Sequence, residues 1–178
     1  MTVPSVTALL ETHARMERYL VLHQEALLDM DLPMARQFLQ EHAALTRRHI
    51  GEEEQVLFPV YGARVGELPG GSLEQFRAEH GLIQRTLDEL LEKAADLRLD
   101  QRDIRRRVIA LFDREAMYKH LLDHHDRRER ATLYPALDRV TEPGERAELL
   151  GGCSTLADGE PAPEPAGGGP ACPEVGLF

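Results

Sequence analysis

The chain has 178 residues, a formal net charge of −10, 42% hydrophobic residues, no Trp and a charged fraction of 29%. That length suits one domain with a core of its own, and that composition suits a soluble helical protein. The acidic balance offers nucleic acid or an anionic membrane no basic footprint. With no apolar run of membrane-span length and no signal-like start, the expected location is the cytoplasm.

Four long helical patterns follow one another, with no competing strand pattern. Ser5 is the expected N-cap of the first, whose inner stripe reads Leu9, Leu10, His13, Met16, Leu20, Leu27 and Met30. Asp31 and Pro33 end it and open the second, which carries Phe38, Leu39, Leu45, His49, Glu53, Val56 and Leu57 to about Pro59. A Gly/Pro-rich break over Gly62–Gly71 precedes a capping box, Ser72-Leu-Glu-Gln75. The third helix then presents Phe76, His80, Ile83, Leu87, Leu90 and Leu91. Asp100–Asp103 caps the fourth loosely, with Ile104, Val108, Leu111, Phe112, Leu122, His125, Glu129 and Leu133 on one face; Pro143 suits a short fifth helix through Leu150.

From Gly151 the composition changes. Those 28 residues hold seven Gly, five Pro, four acids and no Lys or Arg, the pattern of a flexible tail. Residues 1–150 are thus read as the helical domain and 151–178 as a tail that contains both cysteines, Cys153 and Cys172. A metal held by the domain would have to use nitrogen and oxygen donors, which excludes thiolate zinc and iron–sulfur sites.

A motif occurs twice. His49-Ile-Gly-Glu-Glu53 runs into Leu57-Phe58-Pro59, and His125-Asp-Arg-Arg-Glu129 into Leu133-Tyr134-Pro135, offset by 76 residues. Residues four apart on an α-helix lie about 40° apart around the axis, so each copy aims an imidazole and a carboxylate at one spot. His13 and His80, offset by 67, each add a lone histidine on the preceding helix. Each half is therefore an antiparallel helix pair, and two halves packed together make a four-helix bundle, where facing side chains commonly build a metal site. His13, His49, Glu53, His80, His125 and Glu129 together suit iron, manganese or zinc rather than magnesium or calcium. Six donors exceed a four-coordinate zinc site. They fit two metals, each with two imidazoles, bridged by both glutamates and an oxo or hydroxo group.

Other polar residues compete less well. Glu52 and Glu54 are substitutes if the register slips, and His120 with His124 forms a rival pair that the repeat disfavours. His42, two turns before His49, suits either support of the site from behind its ligands or lower-core packing; His23 reads as structural. Tyr118 points inward, as core packing or as a residue approaching the site. Gly51 lacks a decisive reason, close helix approach being one.

The order H…H-x-x-x-E…H…H-x-x-x-E, with Leu-Phe-Pro and Leu-Tyr-Pro after the glutamates, strongly resembles the hemerythrin-like (HHE cation-binding) domain over roughly residues 5–140. The resemblance implies an up-down four-helix bundle carrying two non-haem iron ions. His13, His49, His80 and His125 would be terminal ligands, with Glu53 and Glu129 as bridging carboxylates. Gln84 stands where oxygen-carrying hemerythrins have a further histidine, so the chain looks like the bacterial proteins with four histidines and two glutamates. The implied function is binding or reaction of oxygen, nitric oxide or peroxide, with sensing or detoxification favoured over transport. The alternatives are iron homeostasis, iron–sulfur repair, or an iron- or oxygen-responsive module whose tail contacts a protein partner.

Overall fold

The computed structural model describes residues 4–66 and 68–157, and among these the regular structure is helical throughout. Ser5 acts as a cap, its hydroxyl accepting the Thr7 N–H. The chain makes one 3-10 turn over Val6–Leu9 before entering α1 (Leu10–Leu28). Asp138, far along the sequence, anchors this start by accepting from the Ser5 hydroxyl and the Val6 N–H. Met30 lies beyond the end of α1 with φ at 59°, yet it still packs, partly buried, against the cluster that holds Leu20 and Leu27. Asp31 caps α2 (Leu32–Glu52), accepting the Met34 N–H at 3.1 Å, with Pro33 in the first turn where no N–H is missed.

The second helical rod does not end at Pro59. It widens into a π-helical turn over Glu53–Leu57, in which the Phe58 N–H reaches back to the Glu53 carbonyl, and continues as α3 (Phe58–Arg64). Pro59 supplies the physical reason. It has no N–H to donate and its ring crowds the carbonyl four residues back, so the turn opens by one residue instead of breaking. The same event follows α5 (Ile104–Arg128): a π turn over Glu129–Leu133, closed by the Tyr134 N–H on the Glu129 carbonyl, leads into α6 (Tyr134–Val140) with Pro135 in its first turn.

Between them, α4 (Leu73–Ala95) starts at Ser72, whose hydroxyl accepts the Gln75 N–H at 3.2 Å. Gly71, just before it, is needed for close approach. A Cβ there would sit 2.8 Å from the Tyr61 hydroxyl, which donates to the Gly71 carbonyl. Asp103 precedes α5 without a side-chain cap, its carboxylate pairing with Arg107 instead. Pro143 opens α7 (Pro143–Gly151), as its sequence suggests.

Packing runs α1 on α2, α2 on α4, α4 on α5 and α5 back on α1. Two apolar clusters result. One holds Leu20, Leu39, Ile50, Ile83, Leu87, Leu111 and Tyr118. The other holds Val6, Leu9, Leu57, Phe58, Phe76, Leu133, Tyr134 and Leu137. Along each rod, the chain passes from one cluster to the other close to a histidine of the repeat: Leu9 to Leu20 across His13, Phe76 to Ile83 across His80. Among the described residues no helix is long and apolar enough to cross a membrane.

Composition places a boundary at Gly151, but packing carries on to Leu156. Cys153 is buried in the second cluster, and α8 (Ser154–Ala157) is pinned where Glu52 accepts from the Ser154 hydroxyl and from the N–H and hydroxyl of Thr155. The other cysteine, Cys172, lies outside the described residues, as does the rest of the tail from Asp158.

Candidate metal centre

All six residues of the repeated pattern meet between the two clusters. Glu53 and Glu129 have no exposed surface, and His80, His49 and His125 retain 1%, 3% and 6%; His13 is partly buried. Their inward-facing atoms sort into two groups, His13, His49, Glu53 and Glu129, and Glu53, His80, His125 and Glu129, with the atoms of each within 4.8 Å of one another. Both glutamates belong to both groups.

The individual distances show what such an arrangement suits. His13 Nε2 lies 2.7 Å from His49 Nε2 and 3.5 Å from Glu129 Oε2, and His49 Nε2 lies 3.5 Å from Glu53 Oε1. On the other side, His80 Nε2 lies 3.2 Å from His125 Nε2 and 3.3 Å from Glu53 Oε2, and His125 Nε2 lies 2.8 Å from Glu129 Oε1. Metal–donor bonds of roughly 2.0–2.2 Å put neighbouring donors about 2.9 Å apart at octahedral corners and about 3.4 Å at tetrahedral ones. The observed spacings lie near those edges.

Proton placement argues the same way. His13 Nδ1 pairs with Asp126 at 2.5 Å, His80 Nδ1 with Glu54 at 2.8 Å and His125 Nδ1 with Glu79 at 3.0 Å. A carboxylate only accepts, so each Nδ1 carries the proton and, in the neutral ring, each Nε2 turns a lone pair inward. The facing Nε2 lone pairs of neutral His80 and His125, beside two carboxylates with buried oxygens (Glu53 Oε2 and Glu129 Oε1) that have no hydrogen-bond partner, are costly without a cation. Nitrogen and oxygen donors, three of the four imidazoles oriented from behind by a carboxylate, fit a first-row transition metal. These buried His/Glu groups could hold a metal ion.

Electrostatics record the same strain. Burial and the neighbouring Glu53 charge push Glu129 up to about 7. Burial also opposes charge on Glu53, but the imidazoles of His49 and His80 outweigh it and hold Glu53 below the ordinary carboxylate range. His49, buried, drops to about 4. His125 goes the other way, to about 10: burial is overcome by the adjacent charge of Glu129 and by the hydrogen bond to Glu79, so that without a metal a proton on this ring takes the cation's place.

The remaining candidates fall elsewhere. Glu52 serves the C-terminal clamp, while Glu54 supports His80 from behind. His120 and His124 are exposed, His124 accepting from Arg128. His42 donates to the Met16 carbonyl and meets the Tyr118 hydroxyl at 2.9 Å, so Tyr118 belongs to the lower core. His23 bridges the Ala35 carbonyl and Glu115. Close helix approach does not explain Gly51, because a Cβ there would meet nothing nearer than 3.9 Å.

Sequence reasoning missed Tyr134. Its buried hydroxyl lies 2.8 Å from Glu53 Oε1, 3.2 Å from Glu129 Oε2 and 3.3 Å from His13 Nε2. On an α-helical wheel it sits about 140° from Glu129. Across a π turn the angle is roughly 50°, which returns it to the ligand face. The available signal was the proline one residue later. Asp126 and Glu79 were missed too, because each reaches its histidine from another helix. No family model, curated protein or solved structure matches the chain.

Proposed function

We propose that this chain is a non-haem di-iron protein with a hemerythrin-like four-helix bundle, binding or reacting with oxygen, nitric oxide or peroxide in sensing or detoxification. The observation that carries the reading is the sharing of both glutamates between two His/His groups. One metal needs one such group; two groups with common carboxylates suit a bridged pair. His13 and His49 would hold one iron, His80 and His125 the other, with Glu53 and Glu129 spanning them. Bound iron would supply an electron-rich centre able to reduce or coordinate a small ligand.

The chain's own residues do the rest. Asp126, Glu54 and Glu79 fix three imidazoles in the tautomer that presents Nε2. Phe58 stacks on the His80 ring at 5.5 Å, and Leu57 and Leu133 exclude water from behind. A mostly apolar cleft of about 260 Å³, lined by His13, Met16, Leu20, His49, Ile83 and His125, gives a small ligand a way to the imidazole side of the site.

The test is to load the chain with ferrous iron anaerobically, count metal, and titrate with oxygen, peroxide and nitric oxide. The reading expects two irons per chain and near-ultraviolet charge-transfer absorption on oxidation. A chain that binds no iron, or only one, sinks it.

Glu52 favours a second reading, an iron-responsive module. It adjoins Glu53 and clamps Thr155, so metal occupancy would bear on the segment that leads into the tail. Iron loading should then slow amide exchange in Ser154–Ala157; unchanged exchange there removes this reading.

A further inference from the structure

The two halves differ at the aromatic position of the repeat. After each π turn stands an aromatic ring, Phe58 in the first copy and Tyr134 in the second. Only Tyr134 brings an oxygen to the centre. We propose that the Tyr134 phenolate oxygen is a seventh ligand, bound to the metal held by His13 and His49. This inference rests on the di-iron reading and goes beyond it, because it makes the two metals chemically unequal.

The Tyr134 oxygen lies within 3.3 Å of three inward-facing atoms, Glu53 Oε1, Glu129 Oε2 and His13 Nε2. A hydroxyl donates a single hydrogen, and it is used up on one of them, the nearest being Glu53 at 2.8 Å. His13 Nε2 cannot donate in return when its ring is neutral, because the Nδ1 proton is committed to Asp126. With both carboxylates ionised and the His13 ring neutral, at least one contact therefore sets acceptor against acceptor inside a buried site. A cation among these oxygens and nitrogens turns all three into ligand–ligand edges, and the 2.8–3.3 Å spacings are those of a coordination shell. The phenolic proton leaves to solvent as the metal binds, as it does when other protein ligands are metallated.

The consequence is an asymmetric pair. The His13/His49 metal takes five donors from the chain and the His80/His125 metal four, so the second keeps the more open positions for a small exogenous ligand. Hard phenolate also favours the ferric state of the first.

The experiment uses the full chain loaded with iron and oxidised. A phenolate bound to ferric iron gives a visible charge-transfer band and resonance-enhanced ring vibrations, neither of which histidine or carboxylate ligands produce. Wild type is expected to show both, with ring modes that shift when the protein is made with ring-deuterated tyrosine. Tyr134→Phe should lose the visible band while keeping two irons and the near-ultraviolet absorption. The isotope shift is read on wild type alone, so a variant that fails to fold does not remove the test. Two irons without a visible band, or a band that survives Tyr134→Phe, overturns the ligand assignment and leaves the di-iron reading standing. A chain that takes up no iron overturns both.

Discussion

The two halves of the candidate centre are built from one motif and finished differently. In the half formed by His80 and His125, both rings have a carboxylate behind them, Glu54 and Glu79, and the aromatic position is Phe58, stacked flat on His80. In the half formed by His13 and His49, only His13 has that support, from Asp126. The Nδ1 of His49 is buried with no hydrogen-bond partner, and so is the hydroxyl of Thr12, which occupies the repeat position equivalent to Glu79. Here the aromatic ring carries an oxygen, Tyr134. One half is braced from outside; the other is enriched from inside. A duplicated scaffold thus yields two unequal groups of candidate donors without changing a single inward histidine or glutamate.

The strongest way to break this comparison is to remove what the halves share. Glu53→Ala should reduce bound iron from two per chain to almost none, because both groups lose a donor together. If metal analysis of the folded variant still finds one tightly bound iron, the halves are independent and the bridged account fails.

Next come the outer carboxylates. Asp126→Asn and Glu79→Gln should each weaken metal binding roughly 10–100-fold, the usual effect of losing a carboxylate behind a ligating histidine. Thr12→Val should change it far less, since that hydroxyl supports nothing. Competition with a chelator reads all three. Equal effects would show that the Thr12 position supports the centre as its equivalent Glu79 does.

A pair below the centre offers an internal contrast. His42 and Tyr118 are themselves repeat equivalents and hydrogen-bond to each other at 2.9 Å. Burial lowers His42 from 6.5 to about 4. Below pH 6.5 the unfolded chain binds a proton that the folded ring refuses, so stability falls as pH drops through that window and the loss is complete below about 4. Between pH 7 and pH 5, the advantage of metal-free wild type over His42→Gln in urea unfolding should shrink by about 2 kcal/mol. A constant difference would contradict the neutral, buried ring.

The smallest effect concerns Gly51, whose equivalent in the second half is the exposed Arg127. With nothing within 3.9 Å of its added methyl, Gly51→Ala should stabilise the chain by about 0.5–1 kcal/mol. Destabilisation would mean that this glycine serves a constraint the second half lacks.

These contrasts also show what could be read in the sequence. The i,i+4 spacing of His49 with Glu53, and of His125 with Glu129, is a local relation. The apolar stripes above and below each histidine told which way it faces. The caps at Asp31 and Ser72 were equally local, and the structure has both. Tyr134 was hidden because a helical wheel assumes a uniform turn, and Pro135 changes the turn. Asp126, Glu54 and Glu79 were hidden because each pairing depends on side-chain reach between separate helices. Cys153 was misplaced by composition: glycine and proline nearby say little about whether Glu52 will clamp the chain down at Thr155.

The most direct test of the central claim is anomalous diffraction at the iron edge from crystals of iron-loaded protein. The account predicts two peaks per chain, one against the Nε2 atoms of His13 and His49, the other against those of His80 and His125, with Glu53 and Glu129 between them. A single peak, or peaks lying away from these six side chains, would contradict it.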